Sequence, residues 1–205
     1  TNGIVRNLKN RDDWSKIRNL RMKESLIPEP VSLMSIDEVL EGSIPKKNSP
    51  IFKNDFIGEV QKGGRSEALK IIHSFINDRG QNYLFNISKP GTSEKTCSRI
   101  SPHLTWGTIS SKEIIKLLNL NKINSQKNRG TINSRNLNAI KSRLSWRCHF
   151  IQKLESQPSI ETSCMHPFYD ELRKDNMNLE YYKAWKEGLT GYPFIDACMR
   201  SLNHN

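Results

Sequence analysis

Residues 136–157 read Asn136-Leu137-Asn138-Ala139-Ile140-Lys141-Ser142-Arg143-Leu144-Ser145-Trp146-Arg147-Cys148-His149-Phe150-Ile151-Gln152-Lys153-Leu154-Glu155-Ser156-Gln157, with Pro158 behind them. Leu137, Ile140, Leu144, Ile151 and Leu154 recur at helical spacing. The pattern predicts one long α-helix from about Asn136 to Gln157, ended by a proline that cannot continue it. One position of the apolar stripe is skipped, and Arg147 occupies it. A charge set into an apolar stripe is costly unless it meets an anion. Two readings stand at Arg147: a salt bridge to a neighbouring helix, or an anionic ligand such as a cofactor phosphate. Trp146 and Phe150 fall on another side of the helix, where they line either core or a cleft.

The same period extends outward in both directions. Upstream, Ala68, Leu69, Ile71, Ile72, Phe75 and Ile76 form a helical stripe behind Gly63-Gly64, closed by Arg79-Gly80. Residues 80–97 read as polar loop. Ser101-Pro102 reads as an N-cap followed by proline at the first helical position, and Gly107 ends that short helix. Ser110 to Glu113 forms a capping box ahead of Ile114, Ile115, Leu117 and Leu118. Residues 119–135, basic and Asn-rich, read as a loop. Downstream, Pro193 suits a helix start, and Ile195, Met199 and Leu202 form its stripe. No strand pattern is convincing after residue 60, so the fold class is all-α. Residues 1–57 differ. A polar, basic helix-like stretch surrounds Trp14, Ile17 and Leu20, and Pro28, Pro30, Pro45 and Pro50 flank one short helical candidate at Ile36–Leu40. This is the composition of an extended linker joining two domains. The predicted division is therefore 1–57 as linker and 58–205 as helical domain.

Composition narrows the function. The 205 residues carry 32 Lys and Arg against 21 Asp and Glu, a formal charge of +11 that suggests a polyanionic partner, nucleic acid first. Abundant Lys and Asn also accompany AT-rich genomes, which alone could raise the charge. Hydrophobic residues make up 35%, a low share that still supplies one core. No run approaches the roughly 18 apolar residues of a membrane span. Cys97, Cys148, Cys164 and Cys198 form no CxxC pair, so reduced thiols in a cytosolic or nuclear protein are expected, with no metal. The chain opens Thr1-Asn2-Gly3 and closes in a helical pattern, which reads as a piece of something longer.

Trp185-Lys186-Glu187-Gly188-Leu189-Thr190-Gly191-Tyr192-Pro193-Phe194-Ile195-Asp196-Ala197-Cys198-Met199-Arg200 closely resembles the signature W-x-x-G-x-T-G-[YF]-P-x-[VI]-D-A-x-M-R of the DNA photolyase/cryptochrome family. Two more pieces agree in order. Cys97-Ser98-Arg99-Ile100-Ser101-Pro102-His103-Leu104 looks like the family's T-S-x-L-S-P-x-L segment, and Trp146-Arg147 looks like its W-R pair. The resemblance covers residues 58–205 well. It implies the N-terminal half of a helical FAD-binding domain, preceded by the end of an α/β domain and the interdomain linker.

The function so implied is light-driven repair of UV-induced pyrimidine dimers by electron transfer from reduced FAD, with the lesion flipped out of the stack. The alternative is a blue-light-sensing cryptochrome without repair. By resemblance, Tyr83, Cys97, Ser98, Arg99, Ile100, Ser101 and Arg147 hold the flavin, the serines and backbone N–H groups at a helix start suiting its phosphates. Arg143, Trp146 and Phe150 face DNA, and stacking of an extruded base on Trp146 would be worth about 1–3 kcal/mol. The partner is DNA carrying UV photoproducts. An antenna chromophore would sit in a preceding domain, and a monomer is expected in the bacterial cytoplasm or a eukaryotic nucleus. Three departures stand out. Cys97 replaces a common Thr, and Arg143 stands where many dimer photolyases place Glu. No Trp lies near residue 175, where the family usually has an electron-relay tryptophan.

Overall fold

In the computed structural model, which describes residues 11–32, 61–124, 132–172 and 175–204, the Ala68–Ile76 stripe becomes helix α2 (Arg65–Asn77). Ala68, Ile72, Phe75 and Ile76 are all buried. They pack against Ile114, Ile115 and Leu118 of α6 (Ser111–Asn124) and Leu137, Ile140 and Leu144 of α7 (Ser134–Ser156). Each fully buried side chain of this size contributes about 1.5–3 kcal/mol. The α6 cap forms as predicted, with the Ser110 hydroxyl accepting from the Glu113 N–H at 3.1 Å. The Glu113 carboxylate also receives Arg65, which donates to it twice, at 3.0 and 2.6 Å, clamping α2 to α6. That hydrogen-bonded guanidinium holds the Glu113 carboxyl below its usual range. Helix α7 begins slightly earlier than predicted, because Asn133 caps it by accepting from the Asn136 N–H at 2.9 Å. Behind it, Pro158–Glu161 tightens into a 3-10 turn.

No strand occurs among the described residues, and the fold is all-α. Residues 80–97 are not a loop. Arg79–Asn82 forms a 3-10 turn, Tyr83–Asn86 is α3 and Pro90–Thr96 is α4. Such short helices are too marginal to announce themselves by periodicity, and tertiary bonds hold them. The Asn136 side chain accepts from the Leu84 N–H at 3.0 Å and donates to the Gln81 carbonyl, pinning this stretch to α7. Gly80 sits where a Cβ would fall 2.6 Å from the Phe75 carbonyl oxygen, so only glycine lets the chain turn this close to α2. The cap of α5 (Ser101–Thr105) is also displaced by one residue. Ile100 is the N-cap, leaving Ser101 and Pro102 in the first turn. Helix α6 continues six residues past Leu118, through part of the stretch expected to be loop. Residues 125–131, the candidate helix at Ile36–Leu40 and residues 33–60 in general lie outside the described residues.

The basic stretch around Trp14 is helix α1 (Arg11–Lys23). The Trp14 indole N–H donates to the Gln152 side chain on α7, and its ring meets His149 edge-on with centroids 5.7 Å apart. By compactness the chain divides into residues 1–24 with 62–182, and 25–61 with 183–205.

In the second unit, α9 (Pro193–His204) starts at proline as expected, following the turn after α8 (Leu179–Glu187). Asp196 closes that turn. Its carboxylate accepts from the Thr190 hydroxyl at 2.6 Å, the Thr190 N–H at 2.8 Å and the Gly191 N–H at 3.0 Å. The Thr190 hydroxyl bond, with these N–H groups and Arg200, holds the Asp196 carboxyl below its usual range. Arg200 donates to the Gly188 carbonyl at 3.0 Å. Gly188 has φ +68, and a Cβ there would meet the Asp196 carbonyl oxygen at 2.9 Å. The Gly-x-Thr-Gly…Asp…Arg pattern of residues 188–200 is thus a set of backbone constraints.

Candidate functional site

Arg147 donates to the Leu104 carbonyl at 3.3 Å, which docks α7 onto α5. A carbonyl carries no formal charge, so this contact positions the guanidinium without neutralising it. Arg147 is half-buried, as a charge in an apolar stripe must be. Residues 97–100 lead directly into α5, whose first residue is Ser101. Ile100 is buried and anchors the segment; Ser98 is half-buried, and Arg99 and Ser101 are exposed. Arg99 has φ +57, the one positive φ outside glycine among the described residues. Left-handed backbone in a residue with a Cβ costs roughly 1–2 kcal/mol, and such strain gathers at ligand clamps. Helix α5 is a single turn, so little macrodipole supports an anion there. Hydroxyls and guanidinium groups carry that capacity instead.

Cys97 is half-buried, and burial pushes its thiol pKa up while Arg99 and Arg79 pull it down. The balance leaves a neutral thiol, which does not repel a phosphate. Tyr83 is first a core residue. It is 4% exposed and packs edge-on against Phe75 with ring centroids 5.3 Å apart. Burial raises its pKa, with Cys97 adding to the rise and the hydrogen-bonding guanidinium of Arg143 opposing it. Arg143, expected at DNA, is therefore an electrostatic neighbour of a residue expected at the cofactor. The structure brings Tyr83, Cys97 and Arg143 into one electrostatic neighbourhood and joins Arg147 to α5.

Trp146 and Phe150 are 52% and 60% exposed and stack on each other, with centroids 5.8 Å apart and planes 29° apart. His149 meets both rings edge-on, at 5.8 and 5.6 Å, and links them to Trp14. Ile151 and Leu154, members of the predicted apolar stripe, are 41% and 47% exposed. This half of α7 offers an aromatic surface beside a cationic one. All four cysteines are free, and among the described residues no group of three or more His, Cys, Asp or Glu could hold a metal. No helix among the described residues is long and apolar enough to cross a membrane.

Sequence reasoning missed Arg79, Asn136 and His149 as organising residues. Asn136 gave one signal, a polar side chain directly beside the first apolar position of the α7 stripe. The donor set itself suits a flavin dinucleotide. Two serine hydroxyls and the Arg99 and Arg147 guanidinium groups match the charge and acceptors of a pyrophosphate.

Residues 140–205 match the family described as the FAD binding domain of DNA photolyase. The deoxyribodipyrimidine photo-lyase of Streptomyces griseus is 31% identical over 145 residues, covering 71% of this chain and 28% of that protein. That of Buchnera aphidicola subsp. Acyrthosiphon pisum is 30% identical over 182 residues, covering 86% and 34%. Cryptochrome-1 of Arabidopsis thaliana is 26% identical over 157 residues, covering 73% and 21%. A crystal structure of a bacterial class III photolyase from Agrobacterium tumefaciens superposes with a TM-score of 0.59 at 26% identity, over 71% of this chain and 28% of that one. The chain thus spans roughly a third or less of the length of these relatives. Because the matched region runs through the helices that carry Arg147 and the Asp196 turn, the chain belongs to the DNA photolyase/cryptochrome family and contributes part of its FAD-binding domain.

Proposed function

We propose that the full-length protein is a light-driven, FAD-dependent lyase that repairs UV-induced pyrimidine dimers in DNA. One observation carries this reading: on a single helix, α7, a half-buried arginine docked on α5 adjoins an exposed, stacked aromatic pair. Arg147 would hold the flavin from the protein side, with Ser98, Arg99 and Ser101 binding its phosphates. Tyr83 would offer its hydroxyl from the core, and Cys97 and Ile100 would set the path of the segment. A reduced flavin bound there supplies light absorption and the electron for dimer cleavage. Trp146 and Phe150 would pack against the extruded lesion, and Arg143 would meet the DNA backbone while fixing the Tyr83 hydroxyl. The formal charge of +11 favours the same polyanionic partner.

A second reading rests on Arg143. A fixed cation in place of an acid at the lesion-facing position suits a cryptochrome that keeps the flavin and senses blue light without repair. The two separate in one assay. Full-length protein is mixed with UV-irradiated duplex DNA and illuminated with blue light, and the remaining dimers are counted. Loss of dimers in light but not in darkness is the expected result. Bound flavin with no light-dependent loss of dimers selects the cryptochrome reading.

A further inference from the structure

Arg79 lies outside the motifs that carry the family resemblance, yet its guanidinium donates to five acceptors. Its Nε donates to the Ser74 hydroxyl at 2.9 Å. One terminal nitrogen donates to the Cys97 carbonyl at 2.6 Å and the Lys95 carbonyl at 3.4 Å. The other donates to the Ile71 carbonyl at 3.1 Å and the Ser98 carbonyl at 3.5 Å. Two of these acceptors, Ile71 and Ser74, belong to α2. The other three belong to the end of α4 and the segment after it. The two peptide planes gripped at Cys97 and Ser98 stand immediately before Arg99, the left-handed residue.

We propose that Arg79 is the positioning residue of the flavin-phosphate segment: it locks the Cys97 and Ser98 carbonyls toward α2, so that Ser98, Arg99 and Ser101 are held ready for the cofactor. The inference rests on the assignment of residues 97–101 to the phosphates. The planar fork of arginine suits this role, because it reaches several carbonyls from one rigid group, which lysine cannot do. Burial, together with the neighbouring Arg99, lowers the Arg79 pKa, although a guanidinium stays charged. Two like charges drawn together beside Cys97 repel each other, and an anion at the segment relieves that repulsion. Arg79 therefore acts on the cofactor through the backbone, without touching it.

The test is a double-mutant cycle on FAD affinity in the full-length protein, stripped of flavin and titrated with FAD. The variants are Arg79→Lys, the pair Ser98→Ala/Ser101→Ala, and all three changes together, each checked by thermal melting. Arg79→Lys is expected to weaken FAD binding roughly 10–100-fold, as outer-shell partners do elsewhere. In the triple variant the two losses are expected not to add, because both pass through one segment. Arg65→Lys, which loosens the clamp to Glu113, serves as the structural control and should lower the melting temperature with FAD affinity unchanged. If Arg79→Lys does not fold, Ser74→Ala, which frees only the Nε end, takes its place in the cycle. Unchanged FAD affinity for Arg79→Lys, or strictly additive losses, overturns the inference while a weakened serine pair leaves the phosphate assignment standing. Unchanged affinity in the serine pair removes that assignment, and the inference with it.

Discussion

The two halves of α7 have the same apolar periodicity and opposite fates. Leu137, Ile140 and Leu144 are buried against α2 and α6, whereas Ile151 and Leu154 are largely exposed. The change falls at Trp146 and Arg147, where the family resemblance places lesion and flavin. Periodicity reports which face of a helix is apolar; it does not report what covers that face. An apolar stripe that protein covers becomes core. One left open beside a cationic site is a surface on which a ligand or further protein can pack.

The largest expected effect sharpens that contrast directly. Ile140→Ala should destabilise the full-length protein by about 2–5 kcal/mol, as for a buried aliphatic side chain. Ile151→Ala, the same change farther along the helix, should cost about 0.5 kcal/mol or less, as at an open surface. Denaturant melts of the two variants compare the halves. Equal losses would mean that Ile151 is covered in the full-length protein, and the contrast would belong to this stretch of chain alone.

Next in size is Trp146→Ala. It should weaken binding to UV-damaged duplex by about 1–3 kcal/mol, the range for one stacked base, with intact duplex little affected and the melting temperature nearly unchanged. Paired titrations on damaged and intact DNA read this out. A large fall in melting temperature with selectivity intact would make Trp146 a packing residue and move the change of fate farther along α7.

The smallest effect belongs to Arg143→Ala. If Arg143 meets a DNA phosphate as proposed, its removal should weaken binding to damaged and undamaged DNA alike and reduce the salt slope by about 1. Titrations at several salt concentrations measure it. An unchanged slope would leave Arg143 as the partner of Tyr83 alone.

Much of the fold was legible in the chain itself. The α2, α6 and α7 helices follow from strong stripes, and the Ser110 and Pro193 starts follow from local chemistry that needs no tertiary partner. The oddity at Arg147 was visible as a charge in an apolar row. What escaped were features made by residues distant in sequence. The short helices over 83–96 exist because Asn136 and Arg79 tie them down from elsewhere. The Tyr83–Arg143 pair joins residues with no mutual signature. The α5 start slipped by one residue because Ile100, anchored in the core, takes the cap position from a serine whose composition suits it better. The roles of residues 185–200 were legible only as a motif. The structure gives the motif its physical content, a carboxylate tying down a glycine-rich turn.

The most direct test of the central claim, that α7 and the 97–101 segment hold FAD, is the flavin content of purified full-length protein with and without Arg147. The wild type should carry stoichiometric FAD, read from its visible absorbance against protein concentration. Arg147→Ala, still folded by circular dichroism, should emerge largely flavin-free and regain little on titration. A folded Arg147→Ala protein that retains a full complement of FAD with unchanged affinity would contradict the account.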